Sequence, residues 1–237
     1  MKTTKSALLV GASGLVGRNL LQLLLREDRY ELVRVPVRRR LTIRDPKLSE
    51  HIIDFDHLDR SAKLLQSDDV FCCLGTTIRT AGSQEAFRKV DFTYVVQTAA
   101  LASRNGAKQF LLVSSLGANP HSRVFYSQVK GEVEDVVSKL PFSAVHIFRP
   151  SFLLGERGER RRGEKAAIMI VKLLQPLMIG GWKKLRPVHA KTVAAAMVLV
   201  AGMDNQGVNV FESDQIQLLG SSQDNQSHAL SQTMEQE

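Results

Sequence analysis

A doubly wound parallel α/β sheet in a single domain, with a small C-terminal cap region, is the fold this sequence predicts. Three observations carry it. A short apolar run, Ala7 to Val10, meets glycines at 11, 14 and 17 and then an amphipathic segment with Leu15, Leu20, Leu23 and Leu24 at helical spacing. Apolar runs of strand length then alternate with helix-period segments as far as Phe148. The run Val70 to Leu74 is apolar without interruption, as expected of a strand covered on both faces.

Length and composition agree with one domain. A chain of 237 residues is long enough for one full sheet, and 43% hydrophobic with 24% charged residues is ordinary for a globular protein. The expected domain covers 1–219, of which about 155–219 forms the cap on the substrate side; 220–237, rich in Ser, Gln, Asn and Asp, is expected to be a disordered tail. No apolar run reaches the length of a membrane span, because Lys172, Gln175 and Pro176 interrupt the nearest one. The two cysteines, Cys72 and Cys73, are adjacent; they point to opposite faces of a strand and offer no zinc spacing, which fits a reducing cytoplasm and no metal. The net charge of +8 gathers in three clusters, Arg38 to Arg40, Arg157 to Lys165 and Lys183 to Arg186, with no basic helix interleaved with aromatics. Nucleic acid is therefore not an expected partner.

Taken in order, the first strand and helix frame the turn Gly11, Ser13, Gly14, Leu15, Val16, Gly17. Gly11 suits a tight turn, Gly14 allows a pyrophosphate close to the backbone, and Gly17 allows the helix to pack against the strand. The helix start offers free N–H groups and a positive dipole end to an anion, which points to dinucleotide binding. Glu31 to Val37 is the second strand. Where an NAD-specific fold places an acid near this strand's end, this chain has Arg38, Arg39 and Arg40. Guanidinium groups pair with a 2′-phosphate, so NADP (NADPH) is expected in preference to NAD.

Ile52 to Phe55 reads as a third strand, with Asp54 and Phe55 beside the adenine, and Asp56 to Leu65 as a surface helix. Leu74, Gly75 and Thr76 follow the fourth strand at its carboxyl end, where ligands of open α/β sheets sit. Gln84 to Ser103 is a helix stopped by Asn105-Gly106; Phe110 to Val113 is the fifth strand, ending at Ser114 and Ser115. Val124 to Leu140 is the next helix and Ala144 to Phe148 the sixth strand. Gly163 to Met178 and Val193 to Ala201 read as helices, and Val208 to Phe211 as a strand.

Tyr126 and Lys130 stand four apart on one helix, hence on one face. An ammonium beside a phenol favours phenolate and brings it toward the range useful for proton transfer. In this reading Tyr126 is the acid/base, Lys130 its modifier and a ribose ligand, and Ser114 or Ser115 anchors a carbonyl.

The stretches Gly-Ala-Ser-Gly-Leu-Val-Gly-Arg (11–18), Val-Phe-Cys-Cys-Leu-Gly-Thr-Thr (70–77), Val90-Asp91, Leu-Val-Ser-Ser-Leu-Gly-Ala (112–118), Tyr-Ser-Gln-Val-Lys-Gly-Glu-Val-Glu (126–134) and Phe-Arg-Pro-Ser (148–151) resemble the atypical short-chain dehydrogenase/reductases related to the Tat-interactive oxidoreductase family. The resemblance implies an NADP-binding Rossmann-like domain with Tyr126 and Lys130 in the active-site positions. It departs from the wider pattern at Leu74-Gly75-Thr76, where an Asn-Ala-Gly is common, and in the interval of 11 residues between Ser115 and Tyr126.

Three functions stay open at this stage. The first is an NADP-dependent oxidoreductase acting on a carbonyl or alcohol of a small-molecule substrate. The second is a non-catalytic NADP(H)-binding redox sensor or protein-interaction scaffold with a protein partner. The third is a sugar-nucleotide epimerase-like enzyme. Monomer and homodimer are both compatible with the sequence.

Overall fold

The computed structural model describes residues 4–155 and 185–221. Seven parallel strands form one sheet: β1 (Lys5–Val10), β2 (Tyr30–Val37), β3 (Leu48–Ile52), β4 (Asp69–Cys72), β5 (Gln109–Val113), β6 (Ala144–Arg149) and β9 (Gly207–Glu212). A separate pair joins β7 (Leu153–Leu154) to β8 (Val188–His189). The spatial order is β3-β2-β1-β4-β5-β6-β9. The chain runs outward from β1 to β3 and then returns to lay β4 on the other side of β1. That reversal opens a crevice beyond the carboxyl ends of β1 and β4.

Two cores sandwich the sheet, and alternate strand residues feed each. Ala7, Leu9, Phe71, Leu111 and Phe148 face α1 (Leu15–Arg26) and α6 (Ala190–Ala201). Leu8, Val10, Cys72, Leu112 and Ile147 face the opposite layer, where Val95, Ala99 and Ala102 of α4 (Tyr94–Arg104) and Val133 and Val137 of α5 (Phe125–Ser138) pack. Among the described residues the remaining helical pieces are a 3-10 segment (Phe55–Leu65), α2 (Ile78–Ala81), α3 (Gln84–Arg88), a π-turn (Lys89–Thr93) and a helix, α7, over 213–221.

Four elements differ from the sequence expectation. The third strand is Leu48–Ile52, so Asp54 and Phe55 lie past its end. Asp54 caps the 3-10 segment instead, accepting the Asp56 N–H at 2.9 Å. The expected helix over Gln84 to Ser103 is continuous but contains the π-turn. Finally, α6 and β9, both expected in the cap, belong to the main layers: α6 packs along α1, and β9 pairs with β6 in register from Ala144↔Gly207 to Arg149↔Glu212. The expected helix Gly163 to Met178, the basic cluster Arg157 to Lys165 and the tail from 222 onward lie outside the described residues. Gly220 and Ser221 end α7.

Candidate functional site

The glycine turn is fixed by sterics. Gly11 has φ +85°, and a Cβ there would stand 2.5 Å from the Cys73 carbonyl oxygen. A Cβ on Gly17 would stand 2.1 Å from the Gly11 carbonyl oxygen, so the helix closes onto its own turn only because both residues lack side chains. Gly14 is the N-cap of α1 and has no side chain to cap it, and the first turn carries no acid. The N-terminal amides of α1 are thereby left to face the crevice, with the positive end of the dipole behind them.

The crevice has two halves that share Ser13, Gly14, Cys73, Leu74, Gly75, Thr76 and Thr80. One half, of about 450 Å³, runs past Gly11, Pro36, Val37, Arg38, Phe55 and Tyr94. Phe55 is buried and its ring leans on Tyr94 at 5.5 Å between centroids. The other half, of about 500 Å³, is lined by Leu15, Val16, Asp91, Ser114, Tyr126, Lys130 and Leu153. The structure therefore brings together most of the expected residues: Gly11, Ser13, Gly14, Leu15, Val16, Arg38, Phe55, Leu74, Gly75, Thr76, Ser114, Tyr126 and Lys130 all line the crevice.

Four do not line it. Gly17 is buried behind the turn, and Arg39 is exposed beyond the crevice wall. Asp54 points to His57, with 2.7 Å between Oδ2 and Nδ1; that hydrogen bond holds the Asp54 carboxyl below its usual range and raises the His57 imidazole. Ser115 spends its hydroxyl on a long contact, 3.4 Å, to the Leu116 carbonyl. Of the two serines, Ser114 is the one at the crevice.

At the second half the side chains are already engaged. Tyr126 rests its ring on Phe87 at 5.5 Å between centroids. Lys130 is buried, and its ammonium lies 2.7 Å from Oδ1 of Asp91. Burial alone would discourage charge on this lysine; the Asp91 carboxylate outweighs it and leaves the ammonium above its ordinary pKa. The other oxygen of Asp91 accepts the backbone N–H of Thr76 at 2.8 Å. The Ser114 hydroxyl donates to Oε1 of Glu134. Arg149 clamps that carboxylate, with Nη2 2.5 Å from Oε2, and also reaches Glu212 at 3.3 Å.

Asp91 and Glu134 are the residues that sequence reasoning assigned no role. The spacing holds a faint signal for Glu134, since Tyr126, Lys130 and Glu134 recur every fourth residue along one face of α5. For Asp91 the only signal was an acid in an otherwise apolar helix face, and its partners are 15 and 39 residues away.

Residues 7–211 match the NAD dependent epimerase/dehydratase family. The chain belongs to that family. Among curated members of similar sequence, Protein HTATIP2 of Rattus norvegicus is 43% identical over 68% of this chain and 67% of its own length. A second, Protein FMP52, mitochondrial, of Candida albicans, is 30% identical over 91% of this chain and 94% of its own. Two solved structures share the fold at low identity. MoeE5 in complex with UDP-glucuronic acid and NAD has a TM-score of 0.67 at 19% identity, covering 87% of this chain and 75% of that one. The Bordetella bronchiseptica enzyme WbmH in complex with NAD+ has a TM-score of 0.66 at 17% identity, covering 89% and 76%. As a member of the epimerase/dehydratase family, the chain has a Rossmann-like sheet with its crevice at the β1/β4 switch point. No described helix is long and apolar enough to cross a membrane.

Proposed function

We propose that the protein is an NADP-dependent oxidoreductase that interconverts a carbonyl and an alcohol on a small-molecule substrate. One observation carries the reading: a single crevice has Arg38 at one end, uncapped helix amides in the middle, and Tyr126, Lys130 and Ser114 at the other end. A nicotinamide dinucleotide fits these residues. The glycine turn lets a pyrophosphate reach the amides of α1, and Phe55 and Arg38 offer an apolar wall and a cation to the adenosine end.

When bound, the nicotinamide supplies or accepts the hydride. Tyr126 moves the proton, giving it to the carbonyl oxygen in reduction and taking it in oxidation. Lys130 supplies a buried positive charge near the nicotinamide ribose. Ser114 has committed its own hydrogen to Glu134, so it offers the reacting centre acceptor lone pairs. The proton donor to the substrate oxygen is therefore Tyr126.

The same hydrogen bond favours a second reading, a NADP(H)-binding sensor or scaffold without turnover, because a serine that cannot donate polarises a carbonyl weakly. Calorimetric titration with NADPH and NADH, on the wild type and on Arg38→Ala and Arg39→Ala, first tests the nucleotide binding on which both readings depend. Tighter NADPH binding, with the preference lost in Arg38→Ala and kept in Arg39→Ala, supports NADP use. Equal binding of both nucleotides removes the NADP preference, and binding of neither removes the enzyme reading. A carbonyl screen with NADPH then distinguishes reductase from sensor, and a UDP-sugar screen with bound NAD distinguishes the epimerase-like reaction. We place the protein in the cytoplasm, to be checked by cell fractionation against the mitochondrial label carried by Candida albicans FMP52.

A further inference from the structure

Beneath the loop that follows β4 lies a fully buried carboxylate with two tasks. Asp91 is 1% exposed and sits on the π-turn, a one-residue expansion of the helix that re-aims side chains and recurs at functional sites. Its Oδ2 takes the N–H of Thr76, which lines both halves of the crevice, and its Oδ1 holds the Lys130 ammonium at 2.7 Å. Gly75 lies directly over this pair. A Cβ there would be 3.4 Å from Oδ1 of Asp91 and 3.7 Å from Nζ of Lys130.

From this geometry we infer that Asp91 is a positioning residue, which sets the Gly75-Thr76 loop and the Lys130 ammonium in one fixed relation so that both meet the same nucleotide. The inference rests on a dinucleotide occupying the crevice. Its physical basis is charge balance. An ammonium with only 8% of its side chain exposed is costly to bury alone, and a carboxylate at ion-pair distance offsets that cost. The groups that face Lys130 are Asp91 from the π-turn, Tyr126 from its own helix and Cys72 from β4, and among these the Asp91 carboxylate is the one at ion-pair distance. Without it, burial acts on Lys130 unopposed and drives the amine toward its neutral form.

The charge role and the latch role separate in two variants. Asp91→Asn keeps an acceptor for the Thr76 N–H and removes the charge; Asp91→Ala removes both. NADPH affinity, read by quenching or enhancement of the nucleotide's fluorescence, is measured from pH 6 to pH 10. Wild-type affinity is expected to stay level through this range, because the ammonium paired with Asp91 titrates above it. In Asp91→Asn the affinity falls about tenfold or more as pH rises, with a midpoint well below that of the wild type, as Lys130 loses its proton. Lys130→Met is weaker throughout and lacks that midpoint. Asp91→Ala is weaker than Asp91→Asn even at pH 6, by about another fivefold, because the Thr76 amide loses its partner. A wild-type affinity and a level profile in Asp91→Asn overturn the inference. Failure of the wild type to bind NADPH at all overturns the nucleotide reading instead. Should Asp91→Asn not fold, the Asp91→Asn, Lys130→Met pair decides: no charge is left unpaired in it, so restored folding supports the coupling, and a pair as unfolded as the single variant overturns it.

Discussion

The hydroxyl of Ser114 donates to Glu134, two helical turns beyond Tyr126 on the same helix, and so joins the crevice wall to a part-buried ionic network. Glu134 is held by Arg149 through Nε at 3.1 and 3.2 Å as well as through Nη2, and Arg149 continues to Glu212 on the edge strand β9. Removing the charge of Glu134 leaves Arg149 with Glu212 alone. Glu134→Gln is therefore expected to cost about 2 kcal/mol and to lower the melting temperature by roughly 5 °C, read by thermal unfolding. Ser114→Ala leaves Arg149 and Glu134 paired and is expected to unfold close to the wild type.

The two serines give a sharper functional contrast. Ser114 lines the crevice and Ser115 does not. Once a substrate is in hand, Ser114→Ala should lower kcat about tenfold, and Ser115→Ala should leave it within twofold. Equal losses in both variants would show that the loop rearranges when substrate binds.

Much of this site was legible because the signals were local. The glycine turn, the arginines after β2 and the pair Tyr126 and Lys130 each lie within one short stretch, where spacing alone fixes direction. The third strand is not legible locally because Leu48–Ile52 is an edge strand carrying Ser49, Glu50 and His51, with no fully buried position, so no apolar run announces it. The place of the helix Ala190–Ala201 in the main layers is not legible either, because nothing local shows that nine of its twelve residues are buried. Asp91 has no local signal because its contacts exist only once the fold brings residues 76 and 130 beside it.

Tyr126→Phe isolates the proton transfer. The ring contact with Phe87 at 5.5 Å needs no hydroxyl, so the variant should fold and melt as the wild type does. NADPH affinity should stay within about twofold, whereas turnover should fall by about 10²-fold to 10⁴-fold, the usual scale of general acid–base catalysis. Unchanged turnover would remove Tyr126 from the reaction.

At the glycine turn, steric closeness and backbone conformation can be told apart. Gly17→Ala puts a methyl group 2.1 Å from a backbone oxygen that cannot move without opening the turn. The cost should be several kcal/mol, with loss of NADPH binding in whatever still folds. Gly106→Ala faces open space and has only its φ of +86° to contend with, so about 1 kcal/mol is expected. Chemical denaturation of both variants checks the ranking.

His146 is expected to make the fold acid-sensitive. It is fully buried in the middle of β6, both ring nitrogens lack a hydrogen-bond partner among the described residues, and its nearest ring is Phe211 at 6.2 Å. Burial pushes the imidazole down to about 4, against about 6.5 in an unfolded chain. The folded state therefore binds the proton later than the unfolded state does as the pH is lowered. Stability is unaffected by this group above pH 6.5 and declines as the pH falls from there through about 4. The loss should be on the order of 3 kcal/mol. His146→Leu has no proton to bind, so its denaturation free energy should fall less steeply between pH 6.5 and 4. A slope in the variant as steep as that of the wild type would place the acid sensitivity in the buried carboxylates instead.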